Sequence, residues 1–425
     1  MTYAEALEYL EGLGRFGLRP GLETVTELAA RAGHPEAGLA FLHVAGTNGK
    51  GSTCAFLESL CREAGLRVGL YTSPHLQTFR ERIQVDREPI PEFAVAEWLG
   101  EARGWMADGG SGAGSQPTFF ELVTVLALAW FARTRCDVVI WETGLGGRLD
   151  ATNLVNPRVS AVTNIGWDHM EWLGRTLPEI AREKAGIFKP GIPAVTTERD
   201  PAIVQVLRQV ADRVGAPFRQ VGEDDPEWEV LRGVALPLAG EHQRWNAVLA
   251  LAMLEAAGWR ERFDGESLRR GLMGARWPGR FQVVPLADGR TLVLDGAHNA
   301  SGFETLALAM AEVFPGRRFG LLIGMLADKE PGVAGAVLAR GASRVVLVPV
   351  SSNRGGDPAV LAGAFRGGLD LEVEVAPGLA EALKRLAREE LVLVTGSLYL
   401  VGEALDWLGR ESGNERRLND WRRSP

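Results

Sequence analysis

Short apolar runs alternate with amphipathic stretches of helical length along most of the 425-residue chain. A strand at residues 41–45, a helix at 50–64 closed by Gly65, and a strand at 67–72 form one βαβ unit. The run DVVIWE at 137–142 is nearly all apolar, which is typical of a parallel strand buried on both faces. The pattern predicts an α/β fold with mostly parallel sheets.

The spacing of the remaining runs predicts two domains. In the first we expect strands at 158–166, 192–197 and 216–221, and helices at 118–133, 178–187, 200–213, 242–257 and 266–274. The segment GARWPGRF, 274–281, combines two glycines, a proline and two arginines, and it predicts the domain boundary. Beyond it we expect strands at 291–295, 319–324, 344–349, 371–375 and 391–395. The predicted organisation is a larger domain at 1–279, a smaller Rossmann-like domain at 280–412 and a charged tail at 413–425, with a Gly/Ser-rich surface loop at 108–117.

The charge balance argues for small-molecule partners. The chain has a formal net charge of −8 and a pI near 5.5, whereas nucleic acids and membrane surfaces attract basic patches. The first ten residues include two glutamates where a signal peptide carries positive charge, and no apolar run approaches the roughly 18 residues of a membrane span. Three cysteines without a CxxC pair suit a packing role in a reducing compartment. We therefore expect a cytoplasmic protein that binds neither nucleic acid nor membrane.

The stretch FLHVAGTNGKGST resembles a phosphate-binding loop with altered spacing. The common pattern has four residues between its two glycines and a Ser or Thr directly after the lysine. Here two residues separate Gly46 from Gly49, and Gly51 follows Lys50. The order of strand, glycine-rich turn, lysine and helix still directs backbone N–H groups at an anion. A tight turn between a strand and a helix is the alternative.

Polar residues follow other predicted strands. Glu142 ends a buried strand, where a carboxylate near a phosphate loop can hold Mg²⁺, although a surface glutamate would fit the same position. His169 follows a later strand in the same way, but histidine is an unusual Mg²⁺ ligand, and a structural or solvated histidine is the alternative. Lys184 could be an ordinary helix-surface lysine. In the second domain, Asp295 and His298 follow a strand in TLVLDGAHNASG, which an Asp-Gly turn with a helix cap explains equally well.

Taken together and in this order, these stretches resemble the folylpolyglutamate synthase and dihydrofolate synthase family, relatives of the Mur ligases. The stretches are GTNGKGS (46–52), YTSPHL (71–76), ERI (81–83), TFFE (118–121), ETGLGGRLDATN (142–153), WDHMEWLG (167–174), EKAGI (183–187), EHQRWNA (241–247), WPGRF (277–281) and DGAHN (295–299). The resemblance implies a Mur-ligase-like fold, with an N-terminal phosphate-loop ATPase domain and a smaller C-terminal α/β domain. It also implies an enzyme that uses ATP to activate a carboxylate as an acyl phosphate, which L-glutamate then attacks.

The resemblance assigns roles to individual residues. It implies ATP contacts from Asn48, Gly49, Lys50, Gly51, Asn246, Arg280 and Asp295, and two Mg²⁺ ions held by Ser73, Glu142, His169 and Lys184. It implies that Lys184 is carbamylated, because a carbamate offers oxygens to a metal whereas an ammonium has no lone pair to give. Lys50, Lys184 and His298 are expected to take part in catalysis. The pterin or folate substrate is expected to contact Arg82, Thr118, Phe119, Phe120, Glu121, Leu149, Asp150 and Ala151.

The sequence leaves the substrate open. Dihydropteroate would define a dihydrofolate synthase and a reduced folate a folylpolyglutamate synthase; TFFE with GLGGRLDA favours an enzyme that does both. A Mur-type ligase with a UDP-linked peptide substrate is one alternative, disfavoured because about 100 residues for a UDP-binding domain would have to precede the phosphate loop. A phosphate-loop kinase or NTPase and a catalytically dead ATP-binding module are the others. The family resemblance further implies a monomer.

Overall fold

The computed structural model describes residues 1–13, 21–107, 116–352, 354–366 and 371–411. Most of the surface loop expected at 108–117 and all of the tail expected at 413–425 lie outside these residues. The described chain divides into two compact units. The first consists of Met1–His75, Phe79–Ala235 and Trp245–Ala275, and the second of Leu76–Thr78, Leu236–Arg244 and the chain from Arg276 onward.

The first unit is built on an eight-stranded sheet. Its strands are β1 (Phe41–Ala45), β2 (Val68–Tyr71), β3 (Ile83–Val85), β4 (Glu88–Pro89), β5 (Val138–Glu142), β6 (Val159–Val162), β7 (Ala194–Thr196) and β8 (Phe218–Gln220). They lie in the order β4-β3-β2-β5-β1-β6-β7-β8. The strands from β2 to β8 in this order are parallel, and β3 and β4 add an antiparallel hairpin at one edge.

Eleven helices are described before the second sheet. They are α1 (Tyr3–Leu13), α2 (Glu23–Arg31), α3 (Lys50–Glu63), α4 (Glu92–Ala107), α5 (Phe119–Arg133), α6 (Met170–Leu173), α7 (Leu177–Lys184), α8 (Pro201–Val214), α9 (Glu227–Leu231), α10 (Glu241–Ala256) and α11 (Gly265–Met273). Helices α1, α2, α4 and α5 pack on β1, β2, β3 and β5, and α7 and α8 pack on β6 and β7. The central strands are therefore covered by helices, as their continuous apolar runs predict.

The second unit contains a six-stranded sheet. Its strands are β9 (Gln282–Pro285), β10 (Thr291–Leu294), β11 (Phe319–Ile323), β12 (Ala342–Leu347), β13 (Glu372–Val375) and β14 (Leu391–Thr395), in the order β13-β12-β11-β14-β10-β9. Only β9 is antiparallel to its neighbour. Helices α12 (Ala300–Val313), α13 (Pro331–Leu338) and α14 (Pro358–Arg366) cover one face, and α15 (Leu379–Arg385) and α16 (Leu398–Glu411) cover the other. This is a doubly wound α/β arrangement.

The predicted α/β fold is confirmed, with differences in detail. Helices α1, α2 and α4 and the β3–β4 hairpin are not among the predicted elements. The strand expected at 158–166 ends at Val162, and residues 163–166 form a loop instead. All three cysteines are buried and free, as expected for a packing role. No helix among the described residues is long and apolar enough to cross a membrane.

Candidate active site

The altered phosphate loop lies at the carboxyl end of β1, directly before α3. Gly46 and Gly49 have positive φ angles, +146° and +85°. A Cβ at Gly46 would lie 1.8 Å from Thr163 Oγ1, and one at Gly49 would lie 2.4 Å from Asn246 Oδ1. Both positions therefore need glycine for space as well as for conformation. Helix α3 starts at Lys50 with no side-chain cap among the described residues and no acidic residue in its first turn, so its amino end suits an anion.

Residues from the loop after β6 hold this turn in place, and the sequence patterns did not single them out. Asn48 N donates to Asn164 Oδ1 over 2.9 Å, and Thr163 Oγ1 donates to Asn48 O over 2.6 Å. Thr47 N donates to Asn164 O over 2.9 Å. The signal available in the sequence was the pair of polar residues that directly follows the apolar run VSAV.

Two lysines meet at the first glycine of the loop. Lys50 Nζ donates to Gly46 O over 3.1 Å and to Thr47 O over 3.2 Å. Lys184 Nζ donates to the same Gly46 O over 2.8 Å, although Lys184 lies 138 residues further along the chain. The structure thus brings together two of the predicted site residues at one carbonyl oxygen.

Lys184 is buried rather than a surface residue, with 4% of its area exposed. Burial and then the charge of Lys50 lower the pKa of Lys184 to about 7, against the opposing effect of Asp168 and Asp150. A large fraction of this amine is therefore neutral at neutral pH, which makes it a nucleophile that an ordinary lysine is not.

Glu142 lies where β5 ends, next to β1, and is 4% exposed. Its Oε2 accepts a 3.0 Å hydrogen bond from Ser73 N, just after β2. The structure therefore joins the two residues predicted to hold a first Mg²⁺. The contact is made by the backbone of Ser73; a carboxylate and a serine hydroxyl are the kinds of hard oxygen donor that Mg²⁺ takes.

His169 is less enclosed than the other predicted metal ligands. It directly precedes α6 with a φ of 48°, and its side chain is 37% exposed. Its Nε2 lies 3.7 Å from Oδ2 of Asp168, a carboxylate that the sequence patterns did not select. Within the described ranges, no three His, Cys, Asp or Glu side chains form a metal-binding group. Of the four residues predicted to bind Mg²⁺, only Glu142 and His169 are of these types. The other two are Ser73 and Lys184.

The predicted substrate residues around α5 form an aromatic cluster. Thr118 caps α5 in a capping box with Glu121, whose Oε2 accepts from Thr118 N over 2.7 Å. The guanidinium of Arg82 lies 5.2 Å from the ring centroid of Phe119, and Arg82 Nε donates to His75 Nδ1 over 2.9 Å. Glu121 thus serves the helix cap, while Arg82 and Phe119 stack. His75 was not among the predicted site residues.

Phe120 reaches the loop that follows β5. A Cβ on Gly144 would lie 2.4 Å from Cζ of Phe120, so the ring rests directly on this glycine. Asp150, near the end of the same loop, is buried and accepts from Leu145 N over 2.6 Å and Thr152 N over 3.0 Å. Burial raises the pKa of Asp150, against the lowering effect of these backbone N–H groups. Leu149 is half-buried and Ala151 is buried beside it.

Arg280, Asp295 and His298 come together in the second unit. Asp295 Oδ2 accepts from Phe281 N and its Oδ1 from Ala297 N, each over 2.8 Å. Burial raises the pKa of Asp295, and Arg280 opposes that rise. His298 Nδ1 contacts Gly296 O at 2.8 Å, and the guanidinium of Arg280 packs against the same glycine. The helix cap considered for this stretch is Asn299, whose side chain accepts from Gly302 N at the start of α12.

Comparison with known proteins identifies the family of the chain. The family model of the Mur ligase middle domain matches residues 44–232, and that of the Mur ligase, glutamate ligase domain matches 279–398. The dihydrofolate synthase/folylpolyglutamate synthase of Bacillus subtilis is 41% identical over 77% of this chain and 80% of its own length. The chain belongs to the dihydrofolate synthase/folylpolyglutamate synthase family of ligases.

Solved structures of this family share the fold. An Escherichia coli FolC in complex with DHPP and ADP superposes with a TM-score of 0.84 at 33% identity, covering 97% of this chain and 99% of that one. A bifunctional folylpolyglutamate synthase/dihydrofolate synthase of Yersinia pestis complexed with AMPPNP and Mn ion gives 0.82 at 32% identity, covering 96% and 98%. The chain spans about half the length of its relatives from Haloferax volcanii and Halobacterium salinarum, 53% and 51%.

Proposed function

We propose that this chain is an ATP-dependent amide ligase that adds L-glutamate to dihydropteroate, forming dihydrofolate, and to reduced folates, forming folylpolyglutamates. Membership of the family supports the reaction class, and the DHPP and ADP held by the Escherichia coli relative support the substrates. The observation that carries the proposal is the convergence of Lys50 and Lys184 on Gly46 O. There Lys50 would offset charge on a polyphosphate, and a carbamylated Lys184 beside it would offer oxygens to a divalent metal, which suits a site where a polyphosphate meets a second anion.

The phosphate loop would bind and orient ATP. The N–H groups at the start of α3 and the ammonium of Lys50 would face the triphosphate, with Asn48, Gly49, Gly51 and Asn246 around it. In the first step a carboxylate oxygen of the substrate attacks the γ-phosphorus, the bond to ADP breaks, and an acyl phosphate forms. Positive charge at the loop offsets the repulsion between the two anions. In the second step the amino nitrogen of L-glutamate attacks the acyl carbon, phosphate leaves, and the nitrogen loses its proton.

The residues present fit divalent metal ions. Ser73 and Glu142 would hold one Mg²⁺, and His169 and Lys184 would complete the site of a second. When bound, these ions would neutralise charge on the phosphate oxygens. The Mn ion in the Yersinia pestis relative supports the use of a divalent metal.

Lys184 is proposed to be carbamylated. Because its pKa is lowered to about 7, the neutral amine can attack CO₂, forming an N–C bond and releasing one proton. The carbamate keeps one N–H, which could still donate to Gly46 O, and gains oxygens that can ligate a metal.

The remaining residues would position the substrates. Arg82, Phe119, Phe120 and Leu149 offer a flat cation and apolar surfaces suited to a pterin. Thr118, Glu121, Asp150 and Ala151 would complete this pocket, three of them already fixed by the hydrogen bonds described above. In the second unit, Arg280 and Asp295 are proposed to contact ATP and His298 to act on the reacting groups. The enzyme is proposed to be a cytoplasmic monomer. Sedimentation of the purified protein would test whether it is monomeric.

The decisive assay supplies the purified protein with Mg²⁺, ATP, L-glutamate and either dihydropteroate or tetrahydrofolate. We expect ADP release that depends on L-glutamate, and a product heavier by one glutamyl residue in each reaction. Activity with a UDP-linked peptide instead would indicate a Mur-type ligase. ADP release without L-glutamate would indicate a kinase or simple NTPase, and extension of neither folate substrate would refute the proposed function.

A further inference from the structure

A buried histidine lies in the strand that leads into the phosphate loop, and the proposed reaction gives it no task. His43 is the middle residue of β1, opposite Trp141 of β5 and Ser160 of β6, and it is fully buried. Burial, with a smaller effect of Lys189, lowers the pKa of His43 to about 3, so the ring is neutral. A polar ring at the centre of a sheet weakens the fold unless its hydrogen bonds are made.

The protons around His43 can be assigned by counting donors. Thr152 Oγ1 carries one proton, which it donates to the carboxylate of Asp150 over 2.5 Å. The 3.0 Å contact between Thr152 Oγ1 and His43 Nε2 therefore requires the imidazole proton on Nε2. His43 Nδ1 is then a bare acceptor, and it has no hydrogen-bond partner within the described part of the chain. An apolar side chain at position 43 would avoid the free-energy cost of this buried acceptor without a partner.

Asp150 joins the two ends of the glycine-rich loop after β5. Its Oδ1 accepts from both Thr152 N and Thr152 Oγ1, and its Oδ2 accepts from Leu145 N. Because one carboxylate closes the loop, the loop position depends on how Asp150 is held. Thr152 holds it directly, and His43 holds Thr152.

The same loop, residues 144–149, rests on the end of α7 that carries Lys184. Arg148 N donates to Glu183 O over 2.8 Å. A Cβ on Gly147 would lie 2.6 Å from Lys184 O, so the two backbones are in close contact. Asn153 Nδ2 donates to Arg148 O and to Gly186 O, each over 3.0 Å. A shift of the loop would therefore displace the backbone of Lys184.

We propose that His43, Thr152 and Asp150 form a buried positioning relay, which holds loop 144–149 against the end of α7 and thereby sets Lys184 and Leu149 in place. The relay rests on the proposed function, because it serves residues that this function uses. His43 and Thr152 act only through Asp150. A buried polar network beside a site can fix one geometry of that site at the expense of stability.

Four variants test the relay. His43→Leu removes the donor and the unpaired nitrogen, Thr152→Val removes the hydroxyl at nearly constant volume, and His43→Gln keeps an N–H close to the position of Nε2. Thr196→Val is the matched control, because Thr196 is a buried threonine of the same sheet whose hydroxyl donates to Val162 O and accepts from Glu198 N, and neither partner belongs to the relay. For His43→Leu we expect a melting temperature at or above that of the wild type, with kcat reduced by ~10-fold or more. The KM for dihydropteroate should rise, and the KM for ATP should stay within about twofold.

The controls separate a positioning role from a structural one. His43→Gln should recover most of the lost kcat, whereas Thr196→Val should lower the melting temperature and keep the kinetic constants. Hydrogen exchange of the 144–150 amides should be faster in His43→Leu and Thr152→Val than in the wild type. Unchanged exchange in both variants, or wild-type kinetics in His43→Leu, would overturn the relay. If the wild type shows no glutamate-dependent turnover, the proposed function fails, and the exchange measurement still decides the relay. If His43→Leu does not fold, Thr152→Val is judged by the same criteria.

Discussion

Lys50 and Lys184 donate hydrogen bonds to the same acceptor, the carbonyl oxygen of Gly46, over 3.1 and 2.8 Å. Burial makes the charged form of Lys184 unfavourable, and repulsion by the ammonium of Lys50 at the same oxygen makes it less favourable still. Both effects lower the pKa of Lys184 to about 7. The arrangement therefore favours a neutral or carbamylated Lys184 beside a charged Lys50, which gives the two lysines different chemistry.

Replacing Lys184 by alanine should reduce turnover by at least ~100-fold, because the variant lacks the amine that we propose forms the carbamate ligand. Formate or acetate should restore part of the activity if a carboxylate-like ligand is what is missing. Glutamate-dependent ADP release, measured with and without these anions, checks both expectations. An Ala variant with wild-type turnover would exclude Lys184 from the metal site.

Lys189→Ala is the control for this substitution. Lys189 lies five residues further on, is half-buried, and donates to Asn153 O over 3.0 Å rather than to the phosphate loop. Burial lowers its pKa as well. We expect its loss to leave kcat within about threefold, since it removes one hydrogen bond to the backbone of Asn153 and none to the phosphate loop, while the Asn153 side chain keeps its own bonds.

Turnover should depend on pH near neutrality. The folded pKa of Lys184 is lowered to about 7, so the amine is mostly protonated at pH 6 and mostly neutral at pH 8. Only the neutral amine reacts with CO₂, so at fixed dissolved CO₂ we expect activity to fall as the pH drops through about 7. A ¹³C carbamate signal from protein equilibrated with ¹³CO₂ should follow the same curve and vanish in Lys184→Ala. A flat profile from about pH 6 to 8 without a carbamate signal would contradict the carbamylation.

The sequence predicted which strands end at the candidate site, but it did not predict the contacts between the loops that follow those strands. Glu142 was predictable, because a carboxylate that ends a continuous apolar strand must lie at the carboxyl edge of the sheet. Thr163 and Asn164 were predicted to belong to a strand, because they directly follow an apolar run and no glycine or proline marks the end of that run. In the structure these two residues leave the sheet and hold the phosphate loop.

The burial of Lys184 could not be predicted from the residues around it in the sequence. Its helix, α7, has the polar composition of a surface helix, and the contact that defines its role is with Gly46, 138 residues away. Only the resemblance to a family selected it in the sequence. His75 and Asp168 illustrate the same limit: His75 accepts a hydrogen bond from Arg82 Nε, and Asp168 acts on the pKa of Lys184, which the fold brings near it.

Gly49→Ala should lower kcat/KM for ATP, which the loss of stability from a left-handed alanine alone does not do. The φ of +85° disfavours any side chain, and a Cβ would lie 2.4 Å from Asn246 Oδ1, so either the loop or Asn246 must move. A displacement of this size is expected to cost on the order of 10²-fold in kcat/KM for ATP. Gly65→Ala is the matched control, since Gly65 has a φ of +75° beyond the other end of the same helix with nothing within 4 Å. It should lose about 1–2 kcal/mol of unfolding free energy in urea and keep wild-type ATP kinetics. Equal ATP kinetics in the two variants would show that the turn only connects β1 to α3.

Arg82→Gln should raise the KM for dihydropteroate without changing that for ATP. Arg82 stacks on Phe119 at 5.2 Å and donates to His75 Nδ1, so its loss releases Phe119 of the proposed pterin pocket and the neighbouring His75. The cation that would face the pterin ring corresponds to about 1–2 kcal/mol, or roughly a 5- to 30-fold rise in KM. Arg80→Gln is the control, because Arg80 belongs to the same 3₁₀ turn, Phe79–Arg82, but donates to Ile90 O and Glu92. Steady-state kinetics with each substrate varied in turn should show a change for Arg82→Gln alone. A similar shift in both variants would mean that the turn supports the fold and that Arg82 has no particular role in binding the pterin.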